Sequence, residues 1–164
     1  MANHFLSDEY LKALGSVTAN WAMLEIGIDF IVAVTFHEYG KHPKQAEIPR
    51  SMMRKIAYLR DYATLPTLAH WKEEILELAD AAEKLKEARH DATHGAVMEH
   101  GEGGTKVLRL LYEKAFHRGI DKHITAESLR LLEMQIVGVA HVGLNIAQAL
   151  LNELGEPLDK PLSE

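Results

Sequence analysis

The side chains best suited to chemistry lie together in one short segment, residues 88–95, with the sequence Ala-Arg-His-Asp-Ala-Thr-His-Gly. Four of them are charged or titratable: Arg89, His90, Asp91 and His94. A guanidinium carries a permanent positive charge that binds anions, and an imidazole titrates near neutral pH and transfers protons. Gly95 follows directly, as is typical of a helix end. The segment therefore predicts a polar site at the end of a helix.

Arg89 also interrupts an apolar stripe. Alternating steps of four and three residues connect Trp71, Ile75, Leu78, Ala82 and Leu85, which marks one buried helix face. The same steps lead next to Arg89, where a buried guanidinium costs several kcal/mol unless it is paired or lines a polar cleft. In the first helix, Glu25 interrupts a stripe in the same way. Two interpretations stay open: the two residues form a buried ion pair that fixes helix register, or Glu25 orients an arginine that binds or catalyses.

A metal site is a weaker alternative for the same segment. Four side chains that can ligate a metal share one helix face by their spacing: Glu87, His90, Asp91 and His94. The Glu-x-x-His pair matches one half of a di-iron motif, but no second copy occurs on another helix. We therefore predict no metal and no cofactor.

Periodicity and turn residues predict an all-α fold. The expected helices cover residues 8–38, 51–63, 67–94 and 126–154, with a loop at 39–50. Ser7 and Thr125 are the expected N-caps of the first and last helices. Residues 96–117 instead show the pattern of two strands around a glycine-rich turn. The prediction is a four-helix up-down bundle in one domain, residues 1–164, with a small β-hairpin between the third and last helices.

Composition limits the functions. The 164 residues, 47% hydrophobic and 26% charged, are typical of one globular domain, and the lack of cysteine excludes a thiolate site. A net charge of −6 disfavours a general nucleic-acid coat. Residues 41–60 are locally basic, with six Lys and Arg against one Glu, and a solvated surface is favoured over an RNA path. No signal peptide, membrane span or membrane partner is predicted, so we expect a cytoplasmic location.

The spacing Arg89-x-x-x-x-His94, with the polar His90 directly after the arginine, resembles the signature of the HEPN superfamily of small helical ribonucleases and nucleotide-binding proteins. The likeness extends to Trp21 and Glu25 one turn apart in the first helix. The glycine after the histidine, the strand pair and a last helix that opens with Thr-Ala-Glu-Ser-Leu are also similar to members of that family.

This resemblance implies a metal-independent endoribonuclease, such as a toxin or defence component. His94 would be the acid/base for attack by the RNA 2′-OH, and Arg89 would clamp the phosphate. His90, Asp91 and Glu25 would support them. The implied partners are RNA or a nucleotide and a protein antitoxin. A non-catalytic module of the same fold, which binds a nucleotide, RNA or a protein, stays open as the alternative.

Helix geometry poses one difficulty, because five residues correspond to about 140° around the axis and Arg89 and His94 do not share a face. Either the helix ends early at Gly95, or the helix end meets that of a second copy. The resemblance favours a homodimer. A second apolar stripe on the last helix favours it too: Val137, Leu144 and Leu151. We predict an interface that includes the end of the third helix and part of the last.

Overall fold

The computed structural model describes residues 6–39, 46–94, 96–101, 104–113 and 116–154. Its helices are α1 (Asp8–His37), α2 (Met52–Tyr62), α3 (Lys72–His94) and α4 (Ala126–Leu154), and its strands are β1 (Ala96–Gly101), β2 (Gly104–Glu113) and β3 (Phe116–Ile124). The predicted all-α four-helix bundle is confirmed, as is the hairpin, which β1 and β2 form. Gly95 and residues 40–45 of the predicted loop lie outside the described residues.

Local signals set the helix boundaries. Ser7 caps α1, since its hydroxyl accepts from the backbone N–H of Tyr10 at 3.2 Å. Thr125 and Ser128 cap α4 reciprocally, each side-chain oxygen accepting from the other's N–H at 2.9 Å. The third helix begins later than the predicted residue 67, because Pro66–Trp71 form a separate 3₁₀-helix. Leu68 has φ −117° and ψ 21°, outside the α region, so the helical path is kinked there, before α3 begins.

The sheet contains one strand more than predicted. Its order is β1-β2-β3, and both pairs are antiparallel. β3 includes Gly119 and several polar residues, so its own periodicity is weak and its pairing with β2 defines it. Thr105 and Val107 of β2 and Ile124 of β3 are buried, which shows that one face of the sheet packs on the helices.

The three long helices alternate in direction. Asn20 of α1 donates to Glu133 of α4 at 3.2 Å, and Tyr39, just after α1, donates to the Leu150 carbonyl at 3.3 Å. Because residue numbers rise together, α1 and α4 are parallel. Trp71 donates to Glu153, at the far end of α4 from Glu133, so α3 runs opposite. In an up-down order of four full-length helices, α1 and α4 would be antiparallel. They are parallel here because the 11-residue α2 is too short to run the length of the bundle.

Two glycines allow α1 and α4 to approach closely. A Cβ added at Gly27 would lie 3.2 Å from the backbone nitrogen of Leu144 and 3.3 Å from the carbonyl carbon of Gly143. Gly138, by contrast, has nothing within 4 Å of an added Cβ. Leu144 belongs to the second apolar stripe of α4. Leu144 is half-buried, and Leu151 of the same stripe packs against the core of the chain, so part of the stripe that was assigned to a partner is covered within the chain itself.

Large apolar side chains stay exposed on the two parallel helices. Leu11 is exposed near the start of α1; the others, here called the outer apolar residues, are Met23, Ile26 and Phe30 of α1 and Leu131, Met134 and Val142 of α4. By length and composition, α1 and α4 could each cross a membrane, a test that buried core helices and signal sequences also pass. The lack of a membrane span therefore stays a prediction.

Candidate active site

The two predicted reactive side chains belong to one uninterrupted helix, because α3 continues through His94. Arg89 Nη1 lies 3.2 Å from His94 Nε2 within the same chain. The long arginine side chain spans the roughly 140° that separates the two positions on the helix. The two solutions that the sequence suggested, an early helix end and a second copy, are therefore not needed to bring them together.

The guanidinium of Arg89 packs on Trp21 of α1. Its Cζ lies 5.7 Å from the centroid of the tryptophan ring, within the range of a cation–π contact. Arg89 Nε is buried and has no hydrogen-bond partner. Among the described residues the guanidinium bonds only to His94 and has no carboxylate partner. A half-buried positive charge is thus left without a negative one, which is an unfavourable state for a folded protein.

Glu25 does not make the contact expected of it. It is half-buried and lies one turn after Trp21, yet no hydrogen bond or ion pair joins it to Arg89 or to either histidine within the described residues. The Trp21 ring occupies the side of the guanidinium that faces α1. The tryptophan thereby takes the place that the sequence analysis gave to the carboxylate, and the predicted Glu25–Arg89 pair is absent.

The two histidines of the segment lie against each other. Their ring centroids are 4.7 Å apart, with His90 half-buried and His94 exposed. Because a guanidinium can only donate, Nε2 of His94 accepts in the contact with Arg89, and a neutral His94 ring carries its proton on Nδ1. The basic nitrogen of His94 is thus engaged by Arg89 although the side chain is exposed, and the ring of His90 packs against that of His94 from one turn earlier.

Asp91 connects the segment to a residue that the sequence analysis missed. The Nζ of Lys122 in β3 lies 3.7 Å from the Asp91 carboxylate, whose side chain is 17% exposed. Lys122 follows the predicted hairpin, in the strand that was not foreseen. Its position depends on the register between β2 and β3, and no spacing in the sequence reports that register.

Among its described residues, 46–60, the basic stretch 41–60 has two cations in ion pairs with other helices. Lys55 pairs with Asp29 of α1 at 2.5 Å, and Arg60 bridges Asp80 and Glu83 of α3 at 2.7 and 2.6 Å. Two of its cations therefore join helices together. This supports the interpretation of the stretch as a structural and solvated surface.

No group of three or more His, Asp or Glu side chains that could hold a metal occurs in the part of the chain that the structure describes. Glu87, His90, Asp91 and His94 share a helix face without forming such a group.

Comparison with family models, with curated proteins and with solved structures found no match for this chain. Its function is therefore inferred from the chemistry of the site.

Proposed function

We propose that this chain is a metal-independent endoribonuclease of the HEPN type that uses Arg89 and His94. The observation that carries the proposal is the Arg89 guanidinium, which has no carboxylate partner among the described residues and is bonded to the His94 imidazole at 3.2 Å. An unpaired guanidinium favours a bidentate anion such as phosphate. An imidazole beside that phosphate is placed for acid–base catalysis.

RNA supplies its own nucleophile in this reaction. The 2′-oxygen forms a bond to phosphorus, and the bond from phosphorus to the 5′-oxygen breaks, which gives a 2′,3′-cyclic phosphate and a 5′-hydroxyl. The 2′-OH loses one proton and the 5′-oxygen gains one. Nε2 of His94 accepts the first proton or, once protonated, donates the second.

Substrate binding exchanges the partner of Arg89. In the free protein, Nη1 occupies the lone pair of His94 Nε2. When a phosphate takes the donors of the guanidinium, that lone pair is released and can accept a proton. Trp21 holds the guanidinium beside the helix end during this exchange. Binding of the anion and activation of the base are then one event.

We propose further that the chain forms a homodimer through the outer apolar residues. Exposed side chains of this size on two adjacent helices are typical of an interface. On α1, Met23 and Phe30 lie about 160° and about 180° around the axis from Trp21, which contacts Arg89. Two copies joined on that side leave both sites open to RNA. This moves the interface away from the end of α3, where the sequence analysis placed it.

A cytoplasmic toxin or defence nuclease that a protein antitoxin restrains is the proposed cellular role. The exposure of His94 supports it, since a partner could cover the imidazole directly.

The decisive assay is purified protein with mixed single-stranded RNA, with and without EDTA. We expect cleavage that persists in EDTA, cyclic phosphate ends, and resistance of RNA that carries 2′-O-methyl at the cut site. His94→Ala and Arg89→Ala should each abolish cleavage. His141→Ala, which removes an exposed histidine of α4, is the matched control and should not.

Each other outcome selects an alternative. Cleavage that survives His94→Ala contradicts the mechanism. RNA or nucleotide binding without cleavage, weakened by Arg89→Ala, supports the non-catalytic module. Loss of cleavage in EDTA supports the metal-binding bundle.

Light scattering at tens of micromolar tests the dimer. Wild type should have twice the mass of the monomer. The double variant Phe30→Glu, Met134→Glu should have the mass of the monomer. Met53→Glu, on α2 and 66% exposed, is the control and should leave the mass unchanged. A monomeric wild type contradicts the dimer, and recovery in the membrane fraction contradicts the cytoplasmic location.

A further inference from the structure

The register of the sheet brings a lysine to the end of α3. Lys122 pairs directly with Val107, and directly opposed residues of an antiparallel pair lie on the same face. Val107 is 1% exposed, and Ile124, two positions beyond the lysine, is 8% exposed. This face therefore meets the helices, and Lys122 lies at its rim with its side chain 49% exposed.

The ammonium group of Lys122 is held loosely. Its distance of 3.7 Å from the Asp91 carboxylate is an ion pair but is too long for a hydrogen bond. An ammonium group has three N–H donors, and in the described residues Lys122 makes no hydrogen bond with them. Asp91 and His94 are three residues apart on α3, so they are neighbours on one side of the helix. Lys122 thus stands beside the candidate site with its donors available.

The charges around the site favour an anion with more than one phosphate. Two cations lie at this end of the molecule: Lys122 contacts the Asp91 carboxylate at 3.7 Å, and Arg89 has no carboxylate partner among the described residues. They come from two different elements, β3 and α3. A polymer that carries a phosphate at every nucleotide can engage both cations at once.

We infer that Lys122 is a substrate-binding residue that contacts an RNA phosphate next to the one clamped by Arg89, and that Asp91 positions it in the free protein. This inference rests on the proposed function. Phosphate contacts of this kind fix the register of a nucleic acid and do not read its sequence.

The test measures binding and cleavage with matched variants. Binding is followed by fluorescence anisotropy of a 2′-O-methyl single-stranded RNA at several salt concentrations, and cleavage by initial rates. Lys122→Ala should raise Kd and KM about three- to tenfold with kcat unchanged, and should reduce the slope of log K against log salt by about 0.7. Lys122→Arg should restore both. Lys106→Ala is the control, since Lys106 precedes Val107 and lies on the opposite face of β2.

The outcomes separate the two proposals. Cleavage by wild type with KM and salt slope unchanged in Lys122→Ala overturns the role of Lys122 alone. Binding that depends on Lys122 without any cleavage supports that role and overturns the nuclease. Neither binding nor cleavage overturns both.

A double-mutant cycle tests the part played by Asp91. If Asp91 acts only through the lysine, Asp91→Asn should have no effect on Kd once Lys122 is alanine. An equal effect in both backgrounds overturns the positioning role.

Discussion

A cluster that contains a tryptophan, a histidine and a charged group lies at each end of α3, and the two clusters differ in how the charge is satisfied. At the start, the Glu153 carboxylate of α4 accepts from Trp71 Nε1 at 2.9 Å, from Tyr39 Oη at 3.2 Å and contacts His70 Nε2 at 3.2 Å. Burial and the Glu153 charge raise the pKa of Tyr39 to about 12, which keeps its hydroxyl a donor. This cluster joins α4 to the 3₁₀-helix and needs no ligand.

At the other end, the described residues offer no negative charge to the guanidinium. Arg89 packs on Trp21 and bonds to the neutral acceptor of His94, and within the described part of the chain its buried Nε has no hydrogen-bond partner. The residue types are similar at the two ends, but only this end leaves a charge that an anion would complete. Satisfaction of the charge, and not the presence of tryptophan and histidine, distinguishes the candidate active site from a structural contact.

The largest expected effect is on cleavage. Arg89→Ala and His94→Ala should each lower the initial rate at least about 100-fold, because they remove charge stabilisation and proton transfer. Glu153→Gln should leave the rate within about twofold, because a satisfied structural cluster does not meet substrate. Circular dichroism should show all three variants folded. An equal loss of rate in Glu153→Gln would contradict the assignment of a structural role to the Glu153 cluster.

The next largest expected effect is on the stability of the helix pair α1 and α4. Both clusters depend on α1, which contributes Trp21 to one cluster and leads into Tyr39 at the other. Gly27→Ala places a methyl group 3.2 Å from the backbone of α4 and should lower the free energy of unfolding by about 1–3 kcal/mol. Gly138→Ala, in open space, should instead raise it by up to about 1 kcal/mol. Urea denaturation measures both, and equal effects would contradict the close approach at Gly27.

The smallest effect concerns the pH dependence of stability. Desolvation raises the pKa of Glu153, but the hydrogen bonds from His70, Trp71 and Tyr39 lower it, and the net pKa lies below the ordinary value of 4.5. A carboxyl whose pKa is lowered by folding stabilises the fold fully above its unfolded pKa, and this contribution disappears as the pH falls through the folded pKa.

Glu153→Gln should therefore lower Tm slightly at neutral pH and reduce the decline of Tm between about pH 5 and about pH 3. The effect is small because the carboxylate is partly exposed. Glu77→Gln, at an exposed position of α3, is the matched control. If both variants follow the wild-type curve, the cluster at Glu153 contributes nothing measurable.

Elements with local signals were predictable from the sequence. The boundaries of α1 and α4 follow from Ser7 and Thr125, whose side chains cap the helices within four residues of themselves. The closeness of Arg89 and His94 was indicated by the motif. Helix geometry alone argued against it, because ideal positions ignore the length of the arginine side chain.

Contacts that depend on distant elements were not predictable in the same way. Two interrupted stripes indicated correctly that α1 and α3 meet near Arg89. Trp21 and Glu25 lie one turn apart on the same side of α1, so periodicity could not say which of them touches the guanidinium. Lys122 was missed because its place depends on the pairing of β3 with β2, which begins many residues earlier.

The sheet has a topological consequence for how this molecule could diversify. β1 begins two residues after α3 ends, and β3 ends two residues before α4 begins, with the contact between Asp91 and Lys122 near both points. The segment 96–124 is thus an insertion whose two ends lie close together, and the entropic cost of closing such an insertion changes slowly with its length. It could be lengthened, shortened or exchanged while the helices stay in place. Arg89 and His94, which belong to α3, would then keep their place while the sheet changes.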